Sequence, residues 1–80
     1  MRGRLAGAET ELGRLGKVVS ELRRAAGLTQ VDVADAASVS LRFYRMIETG
    51  TGNPSYVTRR RVASAIGTTL SELIHRAERR

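Results

Sequence analysis

Apolar residues recur at three- and four-residue steps through most of this chain, and that spacing predicts helices. Leu12, Leu15, Val18 or Val19, Leu22 and Ala26 place a first helix over Glu9–Ala26. Thr10 can cap it, Gly13 and Gly16 weaken its early turns, and Gly27 closes it behind Arg23 and Arg24, whose charge suits the carboxyl end of a helix dipole. Val33, Ala34 and Ala37 give a narrow apolar face to a second helix that opens at Gln30 with Thr29 as its N-cap. Ser38 to Ser40 break the pattern. Ser40 then caps a third helix, Leu41–Thr49, which Gly50 ends. Thr51 to Ser55 read as a loop, since Asn53 before Pro54 is pushed out of the helical region. Ser55 caps a fourth helix, Tyr56–Ile66, stopped by Gly67, with Tyr56, Val62, Ala63 and Ile66 as its apolar face. Arg59 lies near the buried side of that helix, where its stem packs while the guanidinium escapes. A fifth helix follows Thr69-Leu70-Ser71-Glu72, a capping-box pattern, with Leu70, Leu73, Ile74 and Ala77 as its stripe. No alternating run suggests a strand.

The second and third helices form the segment around which the rest is arranged. Two short helices joined by a tight turn, with small residues at their crossing, make the helix-turn-helix pattern, whose second helix enters a DNA major groove. From Ser40, residues 41, 42, 45 and 46 share one face, while Tyr44 and Ile47 lie on another. A helix lodged between protein and DNA needs both faces. Arg42 and Arg45 can each take the O6/N7 edge of a guanine, or a phosphate; Leu41 or Met46 can touch a thymine methyl.

Composition narrows the alternatives. Eighty residues make one domain, and a chain this short is marginally stable alone and leans toward a partner subunit. The net charge of +6 favours a polyanionic partner. With no cysteine there is no disulfide framework, and one histidine without cysteine leaves no metal site; His75 reads as a surface residue. One histidine and eight carboxylates, scattered along the chain, supply no acid–base pair and no activated nucleophile, so no enzyme is expected. Phe43, Tyr44 and Tyr56 are too few aromatics for a stacking platform that binds single strands. No apolar run spans a bilayer and no signal-peptide core precedes the first helix, so a cytoplasmic, nucleoid-associated protein is expected. Residues 1–8, with Arg2 and Arg4, read as a mobile arm ahead of a domain at 9–78.

The order of these signals resembles the Xre/Cro family of phage-repressor-like helix-turn-helix DNA-binding domains. The similarity is carried by LGKVVSELRRAAGLTQVDVADAASVS, then YRMIETGTGNPS, then VASAIGTTLSELI, and covers roughly Leu12 to Ile74. It implies a compact, all-α, five-helix lambda-repressor-like domain with the motif at about 29–49. Gln30 matches the family glutamine that contacts a phosphate and braces the third helix. Leu41, Arg42 and Arg45 match the groove side, with Phe43 and Met46 beside them, and Tyr44 and Ile47 match the core side. Arg23 and Glu48 match a structural ion pair. Thr51, Asn53 and Ser55 match the loop on the next phosphates; Thr29 and Ser40, the caps of the two motif helices, complete the expected DNA-binding set.

The chain departs from the pattern at Leu41, Phe43 and Met46, where the family is mostly polar. It also has Thr51-Gly52 in place of a basic loop, and Ser38 in place of the turn glycine. A left-handed Ser38 costs on the order of 1 kcal/mol. The resemblance implies a sequence-specific transcription regulator that binds a palindromic operator in double-stranded DNA as a homodimer, without cofactor, small-molecule effector or membrane. Restriction–modification controllers and antitoxin-type repressors are neighbours of this size. The alternative from another class is a protein-interaction module that keeps the fold and has lost DNA readout.

Overall fold

A computed structural model describes residues 10–79. Within them the chain forms α1 (Glu11–Ala25), α2 (Gln30–Ala36), α3 (Leu41–Thr49), α4 (Tyr56–Ala65) and α5 (Leu70–Glu78). The proposed arm over residues 1–8 and the expected helix start at Glu9 lie outside the described residues. Each helix begins where a hydroxyl can satisfy an early backbone donor. Thr10, Thr29, Ser40, Ser55 and Thr69 accept from the N–H groups of Gly13, Asp32, Phe43, Thr58 and Glu72 respectively.

Two capping details differ from expectation. At α5 the box is only half made: Thr69 accepts from the Glu72 N–H, but the Glu72 carboxylate turns to Arg76 at 2.8 Å, its neighbour one turn on. At α2 the box is complete, because Asp32 Oδ2 also accepts from the Thr29 N–H at 2.8 Å. Those bonds from the Thr29 backbone and hydroxyl hold the Asp32 carboxyl below its ordinary range.

The core is one cluster fed by every helix. Leu15, Val18 and Val19 of α1 meet Val33 and Ala34 of α2, Tyr44 and Ile47 of α3, Val62 and Ala63 of α4, and Leu73 and Ala77 of α5. Helix α1 lies against α3 and α5, α2 against α3 and α4, and α4 against α5. Leu12, Leu22, Leu70 and Ile74 are only half-buried, and two positions expected on apolar faces are exposed. Ala26 is exposed, because it is the C-cap of α1 rather than part of its last turn. Tyr56 is 64% exposed: it is the first residue of α4, a turn and a half ahead of Val62, and its ring lies 5.8 Å from the Arg60 guanidinium instead of in the core.

Gly13 and Gly16 do more than weaken α1. A Cβ on Gly16 would stand 2.4 Å from the Ile47 carbonyl oxygen and 2.5 Å from that of Glu48. A Cβ on Gly50 would stand 2.6 Å from Gly13 Cα. The carboxyl end of α3 therefore rests directly on the backbone of α1. Gly50 is left-handed at φ 79°, ends α3, and satisfies both demands because it has no side chain. Ser38 is the one non-glycine described residue at positive φ, 60°, in the turn between α2 and α3.

Candidate nucleic-acid interface

Helix α3 has two unlike sides. Tyr44 and Ile47 are buried, while Arg42 and Arg45 are exposed. Their arrangement follows from the helical repeat: residues three apart face the core, and residues on the far side are left to solvent. Helix α3 is held in place at both ends. Ser40 caps its start, and the backbone N–H groups of Thr51 and Gly52 both donate to the Met46 carbonyl oxygen at 3.0 Å.

Glu48, on α3, organises the polar contacts behind that exposed side. Its Oε2 accepts from Arg23 Nε at 2.6 Å and from the Tyr44 hydroxyl; its Oε1 accepts from Gln30 Nε2 at 3.0 Å and Arg23 Nη2 at 3.3 Å. Arg23 spends a further donor, Nη1, on the Leu28 carbonyl at 2.9 Å. Burial raises the Glu48 pKa, but the bonds from Arg23, Tyr44 and Gln30 outweigh it and hold the carboxyl below its ordinary value. Burial, reinforced by its bond to Glu48, pushes the Tyr44 hydroxyl well up. The hydrogen bond to Glu48 raises Arg23 despite the opposing effect of burial. The Arg23–Glu48 pair thus joins α1 to the end of α3.

The remaining candidates fall around this frame. Gln30 is half-buried at the start of α2 and touches α3 twice, through Glu48 and through Arg45 Nε, which donates to Gln30 Oε1 at 3.2 Å. Leu41 and Phe43 are half-buried and pack against the core cluster. Their apolar character at positions where polar residues are usual in the family thereby has a packing cause. Met46 is half-buried as well, and Gly52 sits close over it: a Cβ there would lie 3.0 Å from Met46 Cβ and 3.4 Å from the Phe43 ring. The Thr51 hydroxyl lies 3.0 Å from that of Thr49. Asn53 Oδ1 accepts from Arg59 Nη2 at 3.1 Å, so the stem of Arg59 packs inward while its tip returns to the loop. Thr29, Ser40 and Ser55 are exposed helix caps.

The resemblance implies that Gln30 braces the third helix but not through which partners: its links to Arg45 and Glu48 join residues 15 and 18 positions apart, beyond any local spacing rule. Two further features were not foreseen. The Tyr44–Glu48 bond has a legible signal, the i,i+4 spacing within α3. The other is a depression of about 580 Å³ beside Gln30 and Arg45, which Lys17, Ser20 and Arg24 of α1 also line, together with Glu21, Glu48 and Thr49.

Comparison with known proteins gives the same architecture. Residues 19–73 match the Helix-turn-helix family. The chain is 35% identical over 65 residues to the HTH-type transcriptional regulator DdrOP3 of Deinococcus deserti, a match that covers 81% of this chain and 50% of that protein. The chain therefore spans about half the length of this curated relative. The restriction-modification controller protein C.AhdI from Aeromonas hydrophila superposes with a TM-score of 0.76 at 30% identity, over 79% of this chain and 96% of that one. The clp gene regulator ClgR from Corynebacterium glutamicum superposes at 0.83 over 86% of this chain and 73% of that one; at 23% identity it speaks for the fold alone.

Proposed function

The chain belongs to the Xre/Cro-like helix-turn-helix family, and from that premise we propose that it is a sequence-specific DNA-binding transcription regulator. One observation carries the reading: α3 buries Tyr44 and Ile47 on one side and leaves Arg42 and Arg45 exposed on the other. That is the division of labour a recognition helix requires, with a core side that fixes its angle and a cationic side that meets base edges and phosphates. Arg42 and Arg45 act on the groove. Gln30, with the caps Thr29 and Ser40 and the loop residues Thr51, Asn53 and Ser55, meets the flanking backbone. Leu41 and Met46 supply apolar contact at the groove wall, with Phe43 behind them.

A homodimer on a palindromic operator follows from the same reading. Two copies related by a two-fold axis place two α3 helices in successive major grooves, about 34 Å apart. Leu70 and Ile74, half-buried at the edge of α5, are apolar positions available to the second copy. Selection from a pool of random duplexes tests this. The expected product is an inverted repeat whose half-site centres lie one turn of DNA apart. No enrichment over several rounds would contradict the regulator reading; an asymmetric site bound by one copy would contradict the dimer.

A further inference from the structure

Helix α1 carries a polar stripe on the side turned away from the core. Lys17, Ser20, Glu21 and Arg24 follow the three- and four-residue steps of one helix face, while Leu15, Val18 and Val19 are buried behind them. With Gln30 of α2 and Arg45 of α3, the stripe lines the depression of about 580 Å³. Lys17, Arg24 and Arg45 are exposed there. Of the two carboxylates in the same wall, Glu48 is already matched by Arg23. Three cations therefore face Glu21, and a concave wall with one prevailing sign of charge concentrates a polyanion. The loop after α3 offers nothing comparable. Thr51 to Ser55 hold no cation. The Thr51 hydroxyl is turned to that of Thr49, and Gly52 is buried, where a Cβ would already stand 3.0 Å from Met46 Cβ.

We infer that this chain carries its phosphate clamp on α1, where Lys17 and Arg24 grip the DNA strand that passes Gln30 and Arg45. The inference rests on the reading of α3 as the DNA-facing helix. A helix in the major groove has a sugar–phosphate strand along each side. The depression opens beside Arg45 and Gln30, so the strand that borders this side of α3 lies over it. Lys17 and Arg24 are two turns apart, about 10 Å along the axis, and serve separate phosphates. The Ser20 hydroxyl between them adds a neutral donor. Such contacts fix the pose of the domain on the duplex and carry no base information, so α3 keeps the reading of sequence.

The test uses the full chain and the duplex that it selects from a random pool. Wild type, Lys17→Gln, Arg24→Gln and the double variant are measured against that duplex and its single-base variants, each over a range of salt. Both positions are exposed and glutamine is a good helix former, so the fold is kept. The inference predicts that each variant weakens binding to every duplex alike. The log–log salt slope should become shallower by about one in each single variant and by about two in the double. Neutral methylphosphonate linkages, introduced one at a time, then locate the contact. At one flanking position the neutral linkage should weaken the wild type and leave Lys17→Gln unaffected. A double variant with the wild-type slope and affinity would place α1 outside the footprint and overturn the inference. A changed base preference would make the depression part of base readout and overturn it as well. Should the wild type bind no duplex, the regulator reading falls and takes this inference with it.

Discussion

Arg23 Nε donates to Glu48 Oε2 at 2.6 Å across the seam between α1 and α3, with the two side chains only 9% and 7% exposed. A buried pair like this one is poor grounds for claiming net stability, yet the loss of one member strands the other. Arg23→Leu should lower the unfolding free energy by about 3–5 kcal/mol. Urea denaturation followed by circular dichroism measures it. A loss below about 1 kcal/mol would mean that water reaches Glu48 and that the seam is not held by charge.

The same carboxylate sets a pH dependence. Glu48 titrates below its ordinary value of 4.5 in the folded chain, so the unfolded chain takes up its proton first as pH falls. Its contribution is complete well above pH 4.5 and drains away on acidification through the folded-state value. Asp32, also lowered, acts in the same direction. Urea midpoints should therefore fall as pH drops below that ordinary value, and Glu48→Gln, already weaker at neutral pH, should show a shallower fall. An equal slope in wild type and Glu48→Gln would place the acid sensitivity elsewhere.

Gly16 predicts an outcome opposite to helix propensity. In an exposed helix interior, alanine is better than glycine by about 1 kcal/mol. Here the added methyl would meet two α3 carbonyl oxygens, at 2.4 and 2.5 Å, and both are backbone atoms that cannot rotate away. Gly16→Ala should destabilise the domain by about 1–3 kcal/mol, the usual range for overpacking, and shift α3 off its seat. A more stable Gly16→Ala would show that α1 and α3 are not in backbone contact.

Ser38, at φ 60°, lies in a region that costs a side-chain-bearing residue on the order of 1 kcal/mol. Ser38→Gly should raise the urea midpoint by a corresponding amount and leave DNA binding unchanged, since the turn keeps its shape. A midpoint that falls would mean that the serine makes a compensating contact in the turn.

Most of the scaffold was legible because its signals are local. Hydroxyls at Thr10, Thr29, Ser40, Ser55 and Thr69 sit directly before apolar periodicity, and each caps a helix. The core side of α3 was legible from the three-residue step between Tyr44 and Ile47. What was not legible depends on partners distant in the chain. Gly13 and Gly16 look like weak helix residues until α3 is laid on them. Leu41 and Phe43 look like an unusual groove surface until they are seen packed on the core. Tyr56 carries an apolar ring, but its place at the first turn of α4 keeps it in solvent. The grip of Gln30 on Arg45 needs two helices at a known angle, which no spacing rule supplies.

The most direct measurement of the central claim is a salt titration of binding to a selected duplex, wild type beside Arg42→Ala. The wild type should lose affinity linearly on a log–log plot, with a slope near −0.9 for each phosphate neutralised. Arg42→Ala should bind that duplex about 1–3 kcal/mol more weakly and discriminate less at one base step. A wild-type affinity that ignores salt, or an Arg42→Ala variant with unaltered affinity and base preference, would contradict a DNA-facing α3.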